Sequence, residues 1–327
     1  MAFTVQREDM ASLQGEWVEA LDRHPEPAPF LHPVWHQVWL DEFQDGRELL
    51  LLSVRDGDAL MGVAPLMREN GHLSLLGHSS ICDYMDFVVT PERSREFFSA
   101  LLDELLKEEW SELNLWGVRD GSSTLTELPA LAEAAGLAFE QETEAVSPRV
   151  ELPGSWDDYV SSLSKKDRHE LRRKLRRLQA AGELEMKVYT SPEDVETHLP
   201  VLLRFMVDSR ADKAHFMSEQ MGRFFHRMAP ALAREGLIRL YELELDGKPV
   251  ASVLCFDQGG QLFLYNSGYD PDYAPLAVGL ASKALCLRDA IEIGRHCVDF
   301  LRGHEPYKYD LGGKDQTIYR CVIRRPS

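Results

Sequence analysis

No apolar run in the 327-residue chain approaches the roughly 20 residues that a membrane-spanning helix needs. The opening MAFTVQREDM carries charges where a secretory leader requires an apolar stretch. Cysteine is scarce too: Cys82, Cys255, Cys286, Cys297 and Cys321 make an odd set without a CxxC pair. That argues against a disulfide framework or a cysteine-built zinc site, and points to a reducing, cytoplasmic setting. HExxH, a Gly-x-Ser-x-Gly elbow, a Walker A loop and a Rossmann glycine fingerprint are all missing. The usual signals for zinc proteases, serine hydrolases and nucleotide-binding loops are therefore absent. His32 and His36 stand four apart, but Pro33 marks a helix start, and no metal is expected.

Positive charge is thin in one half only. Residues 1–150 hold 10 basic and 28 acidic side chains; residues 151–327 hold 26 of each, so the net charge of −18 arises in the first half. Such a balance disfavours general nucleic-acid binding. What remains is ordinary globular composition, 44% hydrophobic and 28% charged. A chain this long exceeds what one core usually organises, so two domains are expected, 1–150 and 151–327. The seam is placed near Val146–Trp156, where Pro and Gly punctuate the chain, and residues 157–236 read as mainly helical.

The two halves echo each other. Glu48–Val54, Ala59–Leu66 and His72–Leu76 are apolar runs separated by turns at Asp56-Gly57 and Asn70-Gly71. Leu237–Leu245, Lys248–Phe256 and Gln261–Tyr265 are separated by turns at Asp246-Gly247 and Gly259-Gly260. Such dipeptides between apolar runs signal hairpins, because both central residues take positive φ. A helical run follows each meander, Ser94–Glu108 and about Ala277–Gly294, then a return strand, Glu112–Val118 and Cys297–Leu301. Each half thus reads as a β-meander, a helix and a returning strand.

Chemistry concentrates in the second half. After Tyr265-Asn-Ser-Gly-Tyr269 comes Leu276-Ala-Val-Gly279-Leu-Ala281, small residues opening a helix, where backbone N–H groups can approach an anion. The matching Thr90-Pro91-Glu92 has no glycine and carries an acid. Cys297–Gly313 gathers Asp299, Arg302, His304, Glu305, Tyr307, Lys308, Tyr309 and Asp310 beyond a strand end. Ser164–Arg177 packs eight Lys or Arg around a stripe of Leu163, Leu171, Leu175 and Leu178; it reads as a solvated face or as an anion contact. Asp83, Tyr84 and Asp86 follow the first meander, as cleft-lining or strand-capping residues.

Read together, FLHPVWHQVW, CDYMD, LSKKDRHELRRKLRRLQAAG, GLIRLYELELDGKPVASVLCF, LFLYNSGYDPDYAPLAVGLASKALCLRDAIEIG and VDFLRGHEPYKYDLGG resemble the GNAT acyltransferase superfamily. The resemblance is to its CelD-like and FemAB-like branch and runs from about residue 30 to residue 323. It implies an α+β fold of two tandem GNAT-like domains, each a mixed, mostly antiparallel sheet flanked by helices. It also implies N-acyl transfer, N-acetyl transfer first, from acetyl-CoA or another acyl-CoA to a small or glycan-linked amine.

The family's phosphate loop reads Gln/Arg-x-x-Gly-x-Gly/Ala. Gly279 and Ala281 match its small positions, whereas Leu276 replaces the polar first residue, leaving the pyrophosphate to backbone N–H groups of Val278, Gly279, Leu280 and Ala281. Acyl transfer then needs a base, for which Glu305 or Asp299 stands. It needs N–H donors to the developing oxyanion around Asn266, Ser267 and Gly268. It needs an acid for the thiolate, Tyr307 first and Tyr309 second. Arg302 and Lys308 are expected to hold an anionic part of a ligand. Residues 1–150 become a degenerate copy on the acceptor side, with Asp83, Tyr84 and Asp86 contacting a cationic amine. The FemAB-like branch leaves a tRNA partner open, as an aminoacyl-tRNA donor for a cell-wall or polysaccharide precursor. A third expectation is a GNAT-fold binding protein without catalysis.

Overall fold

The computed structural model describes residues 3–209 and 215–326. The chain divides into two compact units, Met1–Val146 with Gln316–Ser327, and Ser147–Asp315. It leaves the first unit inside strand β7 (Ala138–Glu151) and returns inside β13 (Lys314–Arg324). A division at residue 150 thus misses the return of 316–327. Those residues go back because β13 pairs antiparallel with β6 (Glu112–Arg119), from Ile318↔Arg119 to Arg324↔Glu112. The stretch read as a punctuated seam is mostly strand, and Pro148 lies within it.

In the first unit, β1 (Thr4–Arg7), β2 (Glu48–Asp56), β3 (Ala59–Glu69) and β4 (His72–Leu75) run side by side, followed by β6 and β13. Helices α1 (Met10–Asp22), α2 (Pro33–Phe43), α3 (Ser94–Leu105) and α4 (Ser123–Ala134) flank this sheet, and the short β5 (Val88–Val89) pairs with β3. Helix α3 stops at Leu105, three residues before the expected Glu108. Its core is aromatic: Phe87, Phe97 and Phe98 meet edge to face at 5.1–5.9 Å, all buried.

The second unit contains α5 (Trp156–Ser162), α6 (Lys165–Gln179), β8 (Leu184–Tyr189), α7 (Pro192–Ser209) and α8 (Glu219–Arg234). Then come β9 (Ile238–Leu245), β10 (Lys248–Gln258), β11 (Gln261–Tyr269), α9 (Val278–Glu292), β12 (Cys297–Asp299) and α10 (Pro306–Asp310). The sheet order is β7-β12-β11-β10-β9-β8. Strand β8 interrupts the span read as helical; it joins the edge by pairing antiparallel with β9.

Both units repeat one plan. The meander β2-β3-β4 is followed by a helix and by β6, which lies parallel to β4 over His72–Ser74 and Glu112–Asn114. The meander β9-β10-β11 is followed by α9 and by β12, parallel to β11 over Gln261–Phe263 and Cys297–Asp299. Each is a mixed, mostly antiparallel sheet with helices against it.

Three of the four hairpin turns have positive φ at both central residues: Asn70-Gly71, Asp246-Gly247 and Gly259-Gly260. The first turn differs. Asp56 pairs with Ala59, so the loop is Gly57-Asp58, and only Gly57 (φ 60°) is left-handed. A bulge at Val54/Arg55 shifts that register by one, which puts glycine at the first loop position, as a type II′ turn prefers.

Candidate active site

Strand β11 is irregular where it matters. Its pairing with β10 slips between Leu254↔Asn266 and Cys255↔Leu264, so Tyr265 is an extra residue, and the parallel pairing with β12 stops at Phe263. The bulge flips the alternation of faces. Leu262 and Leu264 pack with Ala284, Cys286 and Leu287 of α9; beyond the bulge it is Tyr269, an odd number of residues on, that touches α9. Gly268 consequently faces α7: a Cβ there would lie 2.3 Å from the Phe205 carbonyl carbon. Gly268 is thus the place where strand and helix backbones touch, which accounts for its glycine without a ligand. Asn266 and Ser267 pair with Leu254 and Val253 next to the bulge.

Helix α9 begins after Ala277, which is left-handed (φ 58°). The Ala277 carbonyl accepts from Leu280 N–H (3.1 Å) and Ala281 N–H (3.0 Å), while Val278 and Gly279 N–H have no acceptor among the described residues. Two amide donors are thereby left at the positive end of a 15-residue helix. The Tyr269 ring covers Gly279; a Cβ there would sit 2.9 Å from its Cδ1. Leu276, an apolar side chain, packs against the apolar cluster of Leu178, Leu243 and Val278.

Lys283, one turn further along, was not singled out from the sequence. It is buried (7% exposed), its Nζ donates to Gly279 O at 2.8 Å, and it lies 4.8 Å from the Tyr307 ring centre. The i, i+4 spacing from Gly279 is the signal that would have found it. Through Lys283 the first turn of α9 and Tyr307 come together. Tyr307 also meets Phe300 edge-on at 6.1 Å.

The loop after β12 is tightly held. Asp299 (2% exposed) accepts at Oδ1 from Ser147 Oγ (2.8 Å) and Leu301 N–H (2.7 Å). Val298 and Phe300 lie in the core cluster with α9, so Asp299 alternates to the other sheet face. Leu301 is left-handed (φ 59°), which ends the strand at Asp299 rather than at Leu301. Of the five non-glycine residues with positive φ among the described residues, Asp45, Asn70 and Asp246 are turn-forming types; Ala277 and Leu301 are not, and both belong to this region. Such backbone costs about 1–3 kcal/mol per residue and tends to gather at functional sites.

Lys308, expected to hold a ligand anion, is 2% exposed and donates to Leu301 O (2.9 Å), Arg302 O (2.9 Å) and Gly303 O (3.1 Å). Its Nζ is also 2.9 Å from Glu305 Oε2. Three carbonyls use the three ammonium protons, so its visible work is to shape the loop that presents Glu305 and Tyr307. Arg302 is partly exposed in the same loop. Tyr309 donates to Asp315 Oδ1 at 2.8 Å, and this bond pushes its phenol above the ordinary range, a poorer acid than an unengaged tyrosine.

In the first unit, Tyr84 is 2% exposed, edge-on to Phe30 and 4.8 Å beneath the Arg119 guanidinium. It is a core side chain there. Asp86 is buried and accepts from Ser122, Thr124 and Phe87 N–H; burial raises its carboxyl above the usual value despite those bonds. Asp83 is half-buried, with its carbonyl beside Gly117.

The basic helix α6 buries Leu171 and Leu178 and turns its cations to a cleft of about 1120 Å³. Lys165, Lys166, Arg168, Arg172, Arg176 and Arg288 line it, with Trp156, Leu175, Leu184 and Leu285 as apolar surface. The one acid in its lining, Glu170, is held down to about 2 by its hydrogen bonds to Arg173 and by Lys174. Among the described residues no group of three or more His, Cys, Asp or Glu side chains could hold a metal, and no helix is long and apolar enough to cross a membrane.

Residues 165–309 match the family model described as an acetyltransferase (GNAT) domain. FemX superposes with a TM-score of 0.68 over 97% of this chain and 96% of its own, at 13% identity. The C-terminal domain of a putative lysylphosphatidylglycerol synthetase from Agrobacterium fabrum gives 0.61 over 96% and 92%, at 10% identity. A tandem GNAT protein from the clavulanic acid biosynthesis pathway gives 0.53 over the full length of both chains, at 14% identity. No curated protein matches the sequence. The chain shares its fold with FemX and with the tandem GNAT protein, and the GNAT domain model matches within its second unit.

Proposed function

We propose that the chain is an N-acyltransferase that moves an acyl group from an acyl-CoA thioester, acetyl-CoA first, to an amine. The observation that carries this reading is the pair of acceptor-free N–H groups of Val278 and Gly279 at the head of α9, suited to a pyrophosphate. The amine nitrogen attacks the thioester carbonyl carbon; a C–N bond forms, the C–S bond breaks and the thiolate leaves. Glu305 takes the amine proton, and Tyr307 protonates the thiolate. N–H donors beside the Tyr265 bulge, at Asn266 and Ser267, serve the oxyanion. The acid excess of residues 1–150 favours a cationic acceptor.

Calorimetric titration with acetyl-CoA tests the donor. Binding by wild type, lost on Gly279→Asp, is the expected result; no heat from acetyl-CoA or longer acyl-CoAs would refute it. A second reading, an aminoacyl-tRNA donor, is supported by the six cations around the α6 cleft. Under that reading tRNA binds with a steep salt dependence, and Arg172→Glu with Arg176→Glu abolishes it.

A further inference from the structure

A separate pocket of about 460 Å³ lies wholly in the first unit, between the starts of α3 and α4 and the chain at His24–Glu26. Three carboxylates line it, Glu26, Asp86 and Asp120, against one guanidinium, Arg119. That guanidinium is already engaged: its NH1 is 3.1 Å from Glu26 Oε2 and its face covers Tyr84. His24 adds no charge near neutrality. Burial, helped by Arg119, lowers it to about 4, and its Nδ1 accepts Glu26 N–H at 3.2 Å, which leaves the proton on Nε2.

Two polar groups that are nine-tenths buried reach this space. Asp86 (9% exposed) accepts from Thr124 Oγ1 and Phe87 N–H at Oδ1 and from Ser122 Oγ at Oδ2. The Ser122 hydroxyl itself accepts Thr124 N–H at 3.0 Å, so its proton points at Asp86. A carboxylate offers about four acceptor sites, so one on Oδ2 remains for a further donor. Ser94 (9% exposed), the first residue of α3, lines the pocket, and its hydroxyl makes no hydrogen bond among the described residues. Pro25, Val89 and Pro91 complete the wall with apolar surface.

We propose that this pocket binds a small aliphatic ammonium, a short monoamine or diamine, with its –NH3+ between Asp86 and Ser94 and its carbon chain along Pro25, Val89 and Pro91. The ammonium supplies donors where acceptors are left over, and the carboxylate excess repels an anion of the same size. The volume suits a small molecule rather than a bare ion. The inference deepens the cationic-acceptor part of the acyl-transfer reading, and because binding to the first unit is measured without donor or turnover, its failure is distinguishable from failure of the donor reading.

The test is calorimetric titration of the full chain with n-butylammonium, n-butanol and butyrate at low salt. Only the ammonium should bind. Asp86→Asn should weaken it about tenfold or more. Because that change also removes a buried acceptor of three hydrogen bonds, Asp120→Lys, at the exposed rim, provides a second measurement. It should weaken binding by roughly three- to fivefold with an unchanged unfolding midpoint. Equal binding of butanol, no binding of the ammonium by wild type, or full affinity in the Asp120→Lys chain would overturn the proposal.

Discussion

The Lys283 ammonium sits 4.8 Å from the centre of the Tyr307 ring while bonding the Gly279 carbonyl at 2.8 Å. One buried cation thereby fixes the distance between the head of α9 and the loop that carries Glu305. A cation over a ring face contributes about 1–2 kcal/mol when desolvated, enough to hold one rotamer of Tyr307.

Tyr307→Phe retains that ring and its cation, so its unfolding midpoint should stay within about 0.5 kcal/mol of wild type. Its turnover with acetyl-CoA and an amine should fall roughly 10²–10⁴-fold, as should that of Glu305→Gln. Steady-state rates decide: wild-type turnover in both variants removes these two side chains from the chemistry.

Lys308→Met should destabilise the second unit by about 3–5 kcal/mol, because Leu301, Arg302 and Gly303 carbonyls and Glu305 lose a common buried partner. Urea unfolding measures it. A loss below about 1 kcal/mol would mean that water replaces the ammonium and that the loop does not depend on it.

Gly268→Ala and Gly222→Ala form a matched pair. At 268 the new methyl meets the Phe205 backbone at 2.3 Å, and no side chain can move aside, so a cost of about 3 kcal/mol or more is expected. At 222, inside α8, nothing lies within 4 Å, and alanine should gain up to about 1 kcal/mol from helix propensity. Equal effects at both sites would contradict the close approach of α7 to β11.

Stability should fall as pH drops from about 6.5 towards 4. Burial lowers His32 to about 4 and His36, with His32 beside it, to about 3. The unfolded chain therefore binds protons on these imidazoles between pH 6.5 and 4 that the folded chain does not, so stability rises with pH across that window. At about 1.36 kcal/mol per pH unit, each histidine contributes about 3 kcal/mol at most between pH 6.5 and 4. His36→Phe, which keeps a ring against Trp17, should flatten the melting temperature between pH 6.5 and 4. An unchanged slope would place the acid sensitivity elsewhere.

Much of the repeated plan was legible because hairpin turns announce themselves. Asn70-Gly71, Asp246-Gly247 and Gly259-Gly260 have a backbone that only such residues adopt cheaply, and Gly294 ends α9 with φ 76° as expected. The first turn was misplaced by one residue because a bulge leaves no mark in the dipeptide Asp56-Gly57. Strands β7 and β8 escaped notice for another reason: Pro148 and the flanking polar residues read as punctuation, and only partners distant in sequence make them strands. In the candidate site the residue types were visible but their directions were not. Nothing local says that Lys308 turns back onto three carbonyls, or that Gly268 faces α7 while Gly279 lies under Tyr269. Those depend on the extra residue at Tyr265, a tertiary event.

Residues 316–326 supply the partner of β6, and Arg325 seats its guanidinium on the Leu105, Leu106 and Glu108 carbonyls at 3.3, 2.9 and 2.7 Å, over the Trp110 ring. During translation, the opening 146 residues must therefore wait, with one flank of β6 bare, until the ribosome has delivered nearly three hundred and twenty residues. A nascent chain stalled at 315 would be a template for mispairing, so chaperone demand should track the interval before that last segment emerges.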